Sequence, residues 1–283
     1  MTRRRRLRRA VIAGLSLALV AGGIYTAVSL LQRSEQLITE ECTAAAGPHR
    51  ANLATDQAAN AALITAVSVR RGLPPRAASI ALATAMQESK LRNIGHGDLA
   101  GPDSRGLFQQ RPSQGWGTQE QVMDPIYATN AFYDALVKVP GYATLEITDA
   151  AQRVQRSAYP TAYAEHEAMG RSFASALTGE TPAALNCTLR SPDAAGTTDA
   201  LLTQLEAAYG SIPTTANGQT VEADVTGSYA WSVAHWAVAN AKDLSVERVD
   251  VDGKRWDREA RNGWQDAPGT GGRVAITLAA EGS

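Results

Sequence analysis

One glutamate in this sequence has the surroundings that acid catalysis requires. Glu88 ends an Ala-rich apolar segment that is predicted to be helical, and Ser89 follows it directly. Burial in apolar surroundings disfavours the anion of a carboxyl group, and so does the negative end of a helix dipole. We therefore expect a raised pKa for Glu88, as in a general acid that protonates a glycosidic oxygen.

Two short motifs follow the Glu88-Ser89 pair. Gly106-Leu107-Phe108-Gln109 lies in a segment rich in turn-forming residues, and Ser157-Ala158-Tyr159 comes later, after further helical patterns. In this order and spacing, the three motifs resemble those of the soluble lytic transglycosylases, a branch of the lysozyme-like superfamily. That family has a Glu-Ser pair, a Gly-Leu-Met-Gln-like turn and an Ala-Tyr-Asn-Ala-Gly-like segment. The resemblance covers about residues 50–180.

The resemblance implies a fold, an activity and a set of site residues. The fold is a mainly α lysozyme-like domain (α+β) over residues 37–190. The activity is lytic transglycosylation, in which a single catalytic Glu88 cleaves the β-1,4 bond between MurNAc and GlcNAc in peptidoglycan and leaves 1,6-anhydro-MurNAc ends. No metal and no cofactor are implied. Substrate binding is expected from Ser89, Gln109 and Tyr159, with Tyr159 bonded to Glu88 or to the bound sugar.

Two departures from the family pattern leave other functions open. Phe108-Gln109-Gln110 stands where Met-Gln-Ile is usual, and Pro160 follows Tyr159 where Asn is usual. One alternative is a hydrolytic muramidase of the goose type, in which Asp103 positions the water molecule. The other is a non-catalytic protein that binds the cell wall or serves as a scaffold in an envelope complex.

Two of the candidate residues also have a purely structural interpretation. Glu88 at a helix end is placed to pair with Lys90 or Arg92, which would keep it ionised. Trp116 stands between two glycines in the irregular segment. It is therefore either a substrate-binding platform on which a sugar stacks or a hydrophobic plug.

The N-terminus combines a basic block with an apolar run. Six arginines between Arg3 and Arg9 precede an uncharged segment over residues 10–31. At ~1.5 Å per residue a helix of this length spans about 30 Å, the thickness of the hydrocarbon core of a bilayer. We predict a cytoplasmic tail and transmembrane anchor over residues 1–36, with the bulk of the chain outside the cytoplasm. The alternative is a cleaved signal peptide and a secreted protein.

Charge and cysteine content limit the remaining functions. Residues 1–33 hold seven of the 27 basic side chains and none of the 28 acidic ones, so the rest of the chain carries an excess of acid. Nucleic-acid binding needs a basic face and is not expected. Cys42 and Cys187 bracket the three motifs, and outside the cytoplasm such a pair favours a disulfide. Two unpaired thiols are the alternative, and no ligand spacing beside them favours a metal site.

The periodicity of the apolar residues places the motifs on helices and loops. The irregular segment is predicted over residues 93–117. Helices are predicted over 56–71, 74–88 and 124–139, after Thr148, and over 161–177.

The C-terminal third is expected to be organised separately. Residues 191–226 are rich in Ala, Thr, Gly and Pro, which predicts a linker region with one short helix at 199–209. Residues 227–283 are expected to form a small α+β domain, and this module is the candidate contact for a partner protein of an envelope complex. Its predicted elements are a helix over 229–240 and strands over 246–251, 254–256 and 273–278.

Overall fold

The computed structural model describes residues 16, 19, 20, 22–24, 35, 37–99, 101–156 and 161–281. The chain divides into two units, Met1–Thr39 and Glu40–Ser283. The second unit holds all the residues that build the candidate site.

The first part of this unit is rich in helices, one of which begins at the cap that Asp124-Pro125 offers in the sequence. The first helical residue of α4 is Pro125, and the Asp124 side chain accepts hydrogen bonds from the Ile126 and Tyr127 backbone amides at 2.8 and 3.0 Å. The helices are α1 (Thr55–Arg70), α2 (Pro75–Ser89), α3 (Gln119–Met123), α4 (Pro125–Leu136), α5 (Ile147–Gln155) and α6 (Glu167–Leu177).

The chain between α2 and α3 is irregular, as the sequence predicts. Two isolated β-bridges, Ile94–Gly106 and Arg105–Gln110, fold it back on itself. A 3-10 turn over Pro112–Gln114 follows, and a second 3-10 turn, Ala164–His166, leads into α6.

A small antiparallel sheet packs against α6. Strand β1 (Glu41–Ala46) lies between β2 (His49–Leu53) and β3 (Leu185–Thr188). Cys42 is directly opposite Cys187 in the β1–β3 register, and the two form a disulfide across a sequence separation of 145 residues. The predicted disulfide is confirmed.

A larger antiparallel sheet of six strands lies in the C-terminal part of the described chain, in the order β4-β5-β9-β6-β7-β8. Helix α8 (Gly227–Ala239) packs on both this sheet and α1, and α7 (Thr198–Tyr209) also packs on α1. The strands are β4 (Thr214–Asn217), β5 (Thr220–Ala223), β6 (Val246–Val251), β7 (Lys254–Asp257), β8 (Trp264–Asp266) and β9 (Val274–Leu278).

Helix α2 carries Glu88 and is almost surrounded by protein. All its residues from Ala77 to Ala85 are buried. Small side chains let the neighbouring helices approach closely. A Cβ atom at Gly170 of α6 would lie 2.7 Å from the Ser79 carbonyl oxygen, so only glycine allows α6 this contact with the backbone of α2.

The predicted fold class is wrong. The structure is mixed α/β, with 43% helix, 18% strand and two antiparallel sheets, whereas the sequence predicted a mainly α lysozyme-like domain with a membrane-spanning helix and a small C-terminal module. Strand β1 reads Glu-Cys-Thr-Ala-Ala-Ala, so Thr43 is its only β-branched residue and it has none of the aromatic residues that also indicate a strand. Its pairing with the distant β3 is a tertiary contact that no local pattern contains.

The stretch predicted as a linker, residues 191–226, holds α7, β4 and β5. Residues 40–283 form one compact unit. The predicted domain boundaries within this unit stay a prediction.

The prediction of a membrane anchor, and with it a single-pass membrane location, is contradicted; membrane contact through residues 10–31 stays a prediction. Spanning a bilayer takes about 20 apolar residues in one helix. Among the described residues, no helix has both the length and the apolar character to do so. Apart from 16, 19, 20 and 22–24, residues 10–31 lie outside the described part of the chain.

Replacing Cys42 and Cys187 together by alanine is expected to lower the free energy of unfolding by about 2–5 kcal/mol, because the disulfide restricts a long loop in the unfolded chain. Denaturant unfolding of the wild type and the double variant measures this difference. The wild type in reducing agent should match the variant. A variant as stable as the oxidised wild type would show that the bond contributes nothing.

Candidate active site

Glu88 is half-buried in the last turn of α2 and accepts a specific hydrogen bond. Tyr163, which is fully buried just ahead of α6, donates its hydroxyl to Glu88 Oε1 at 2.7 Å. Gln155, the last residue of α5, lines the same cleft and donates to the Phe108 carbonyl oxygen at 2.7 Å. The end of α2, the end of α5 and the entry into α6 therefore come together around this acid.

The surroundings of Glu88 favour the protonated acid. Burial raises the pKa of Glu88 above its ordinary value of 4.5; the hydrogen bond of Tyr163 and the side chain of Gln155 oppose this shift, and the negative charge of Asp98 adds to it. The balance leaves the pKa raised, which is the direction that the sequence predicts.

The ion pair between Glu88 and Arg92 is not formed. Arg92 binds Asp56 instead, with its Nε 2.6 Å from Oδ2. Lys90 leaves α2 in a left-handed conformation, with φ 55°. Within the described residues, Glu88 forms no salt bridge.

Ser89 holds the backbone of the second motif. Its side chain is buried, and Oγ donates to the Leu107 carbonyl oxygen at 2.7 Å and accepts from the Arg92 amide at 3.2 Å. These bonds fasten the turn at Gly106 to the end of α2. Ser89 does not line the cleft beside Glu88, so its position is suited to orienting the backbone.

The second motif folds around one glycine and one core side chain. Gly106 has φ 77°, and a Cβ atom there would overlap the Val122 carbonyl oxygen. Phe108 is fully buried and stacks on Phe132 with ring centroids 4.5 Å apart. Gln109 follows with φ 48°, a left-handed conformation that is uncommon outside glycine. The turn thus buries Phe108 and presents Gln109 to the cleft.

A cleft of about 650 Å³ adjoins Glu88. This volume is within the range of small-molecule binding sites. The walls come from the end of α2, from the irregular segment after it and from the end of α5. The lining residues are Gln87, Glu88, Ile94, His96, Gly97, Asp98, Gly101, Ser104, Gln109, Arg111, Gln114, Trp116, Gln155 and Arg156.

The structure brings some of the predicted substrate residues together. Gln109 and Trp116 line the cleft with Glu88, and Ser89 does not. Trp116 also packs against the hydrophobic core. One part of its surface therefore faces the cleft, as a sugar-stacking residue would, and another part fills the core. Tyr159 lies outside the described residues.

Asp98 lies at the cleft, whereas Asp103 does not. Asp98 lines the cleft, and its Oδ1 accepts a hydrogen bond from the Gly101 amide at 2.8 Å. Asp103, which the sequence suggested for positioning water, accepts from the Ser113 amide at 3.0 Å and from Arg111 Nε at 2.8 Å. The hydrogen bonds from Ser113 and Arg111 lower the pKa of Asp103. It is thus an anchor of the loop and is not a cleft residue.

Sequence reasoning missed Tyr163, Gln155 and Asp98. A signal existed for Tyr163, because it is a tyrosine only four residues after Tyr159. Asp98 is the first acid after Glu88 in the chain, which was a usable clue. Nothing in the sequence separates Gln155 from the neighbouring Gln152.

Among the described residues, no group of three or more His, Cys, Asp or Glu side chains is arranged to hold a metal ion. No protein-family model matches this chain, and no curated protein matches it.

We expect Tyr163→Phe to raise the pKa of Glu88 further, because the variant loses a hydrogen bond that favours the anion. Asp98→Asn should lower the pKa of Glu88, because it removes a nearby negative charge. NMR titration of the Glu88 carboxyl group in the wild type and both variants measures the two shifts.

Glu206→Gln is the matched control for this titration, since it removes an exposed acid of α7. It should leave the pKa of Glu88 where it is in the wild type. A shift of the opposite sign in either Tyr163→Phe or Asp98→Asn would mean that the contacts around Glu88 are wrongly assigned.

Proposed function

We propose that this protein is a lytic transglycosylase that cleaves the β-1,4 bond between MurNAc and GlcNAc in peptidoglycan, with Glu88 as its single acid and base. The three motifs that resemble the soluble lytic transglycosylases support the proposal, and so does the environment of Glu88. The glycan strand would lie in the cleft against Gln109 and Trp116.

In the first step Glu88 acts as the acid. The protonated carboxyl gives its proton to the glycosidic oxygen, the bond from that oxygen to C1 of MurNAc breaks, and the GlcNAc strand leaves with a free 4-hydroxyl. Burial and the charge of Asp98 raise the pKa of Glu88 and so favour the protonated form that this step needs. As the anion forms, the Tyr163 hydroxyl stabilises it.

In the second step the Glu88 carboxylate acts as the base. It removes the proton from the C6 hydroxyl of the muramyl residue, and O6 forms a bond to C1. The product is a 1,6-anhydro-MurNAc end. Glu88 regains the proton it gave away, so the enzyme returns to its starting state.

The observation that carries the proposal is the 2.7 Å hydrogen bond between Tyr163 and Glu88 at the wall of the cleft. Glycosidases that use water generally need two carboxylates at a defined separation. A single acid that acts twice needs a raised pKa to hold its proton and a neutral donor to stabilise its anion between the steps. Burial raises the pKa of Glu88, and the Tyr163 hydroxyl is the neutral donor.

Hydrolysis is the second candidate reaction, and the position of Asp98 favours it. A carboxylate on the cleft wall could position a water molecule to attack C1 in place of the C6 hydroxyl. The product would then carry a reducing end. A non-catalytic wall-binding protein would use the same cleft without cleavage, and residues 227–283 stay the predicted contact for a partner protein of an envelope complex.

Glu88→Gln should reduce the release of soluble glycan fragments from purified sacculi by about 10²-fold or more, because general acid–base catalysis contributes about 10²–10⁴-fold. Mass spectrometry of the fragments released by the wild type distinguishes the reactions. Anhydro ends support transglycosylation, and reducing ends support hydrolysis. Binding to sacculi without release of fragments would contradict both and leave the wall-binding function.

The same variant should keep its fold, which separates lost chemistry from lost structure. Because the folded-state pKa of Glu88 lies above 4.5, the stability that this group contributes is complete below pH 4.5 and is lost as the pH rises through that pKa. Glutamine has no charge to bury and can still accept the Tyr163 hydrogen bond. Urea unfolding at about pH 4 and pH 8 should show the wild type losing stability relative to Glu88→Gln, and a constant difference would argue against the raised pKa.

A further inference from the structure

Arg156 lies on the wall of the cleft, directly after a residue that contacts the candidate acid. It follows Gln155, whose side chain lowers the pKa of Glu88 and donates to the Phe108 carbonyl oxygen at 2.7 Å. The Arg156 side chain is exposed and lines the cleft. A ligand bound against Glu88 would therefore lie close to a guanidinium group.

The charge of Arg156 is not neutralised by an acidic side chain. Every Asp and Glu of this chain lies within the described residues, and none of them forms a salt bridge with Arg156. Arg111, which also lines the cleft, is in contrast paired with Asp103 at 2.8 Å. Arg156 thus brings to the cleft a cation without an internal counter-ion.

We propose that Arg156 binds an ionised carboxylate of the glycan substrate, beside the bond that is cleaved. The inference rests on the proposed function for the identity of the glycan. A planar guanidinium group offers two parallel N–H donors that match the two oxygens of a carboxylate. The carboxylate is the chemical group that distinguishes strands containing MurNAc from neutral polymers of GlcNAc.

Two sources of the carboxylate exist in peptidoglycan. MurNAc carries a lactyl group at O3, and its carboxylate is free where the stem peptide has been removed. Where the peptide is present, that carboxylate is an amide and the stem carries its own carboxylates. Either anion would be attracted to Arg156 and repelled by Asp98 on the same cleft, which would also give the strand a direction.

The backbone conformation at Arg156 allows a variant that removes the side chain without straining the fold. Arg156 directly follows the last residue of α5 and has a left-handed conformation with φ 53°, in a position where glycine is usual. Arg156→Gly therefore removes the side chain without backbone strain, Arg156→Gln removes the charge, and Arg156→Lys keeps it. Arg153→Gln is the matched control, because Arg153 is an exposed arginine of the same helix that does not line the cleft.

The experiment compares kcat/KM of the full-length variants on four glycans. Two are GlcNAc-MurNAc tetrasaccharides, one with free lactyl carboxylates and one with these groups converted to primary amides. The other two carry stem peptides, with the peptide carboxylates free or amidated. We expect Arg156→Gln and Arg156→Gly to lower kcat/KM by about 10- to 100-fold on a glycan that bears the recognised carboxylate, mainly through KM. On its amidated form, and for Arg153→Gln on all four, the change should be under about threefold.

The pattern across the glycans identifies the source of the anion. A loss confined to the free lactyl form assigns the lactyl carboxylate, and a loss confined to the unmodified stem form assigns the peptide. Arg156→Lys should retain part of the preference. Equal losses on the charged and the amidated forms, or no loss on any, would overturn the inference while cleavage by the wild type leaves the proposed function standing.

If the wild type cleaves none of the glycans, a binding measurement tests carboxylate binding by Arg156 separately from the proposed enzymatic function. Isothermal titration of Glu88→Gln and of Glu88→Gln/Arg156→Gln with the same four ligands needs no turnover. Tighter binding of a charged form that disappears with Arg156 supports the inference and overturns the enzymatic function. Binding that does not depend on charge, or no binding, overturns the inference.

Discussion

The hydrogen bond from Tyr163 to Glu88 joins parts of the chain that are 75 residues apart, and the candidate site depends on it. Glu88 is fixed by the end of α2, and Tyr163 is fixed by the entry into α6. Their 2.7 Å separation is therefore set by how these helices pack. A partly exposed carboxylate would otherwise bind a cation or water, and burial of its partner keeps a neutral donor in place.

Two partly buried glutamates of this protein have pKa values that are shifted in opposite directions. Burial opposes ionisation of Glu40, but the hydrogen bonds of Lys242 and Arg190 prevail and lower the pKa of Glu40 to about 2. The side chains that oppose the shift at Glu88, Tyr163 and Gln155, carry no charge, so burial prevails there. Whether a donor is charged thus separates a carboxylate that holds the fold from an acid that can release and recover a proton.

The helices around the site were largely predictable, because small and apolar residues recur with the period of a helix. The predicted helix over 56–71 is found at Thr55–Arg70, and the Asp124-Pro125 start of α4 holds. The strands of the small sheet were not predictable, because β1 has little strand propensity of its own and is held by its partners and by the Cys42–Cys187 bond. Glu88 and Gln109 could be placed from their motifs, while Tyr163 and Asp98 reach the cleft only through tertiary packing.

The place where α6 touches α2 has a consequence for how this chain can change. The close approach at Gly170 is possible because glycine has no side chain. Even a methyl group there would lie 2.7 Å from the Ser79 carbonyl oxygen. A substitution there would push α6 outward and carry Tyr163 with it. A change at position 170 would therefore alter the surroundings of Glu88, a residue on another helix.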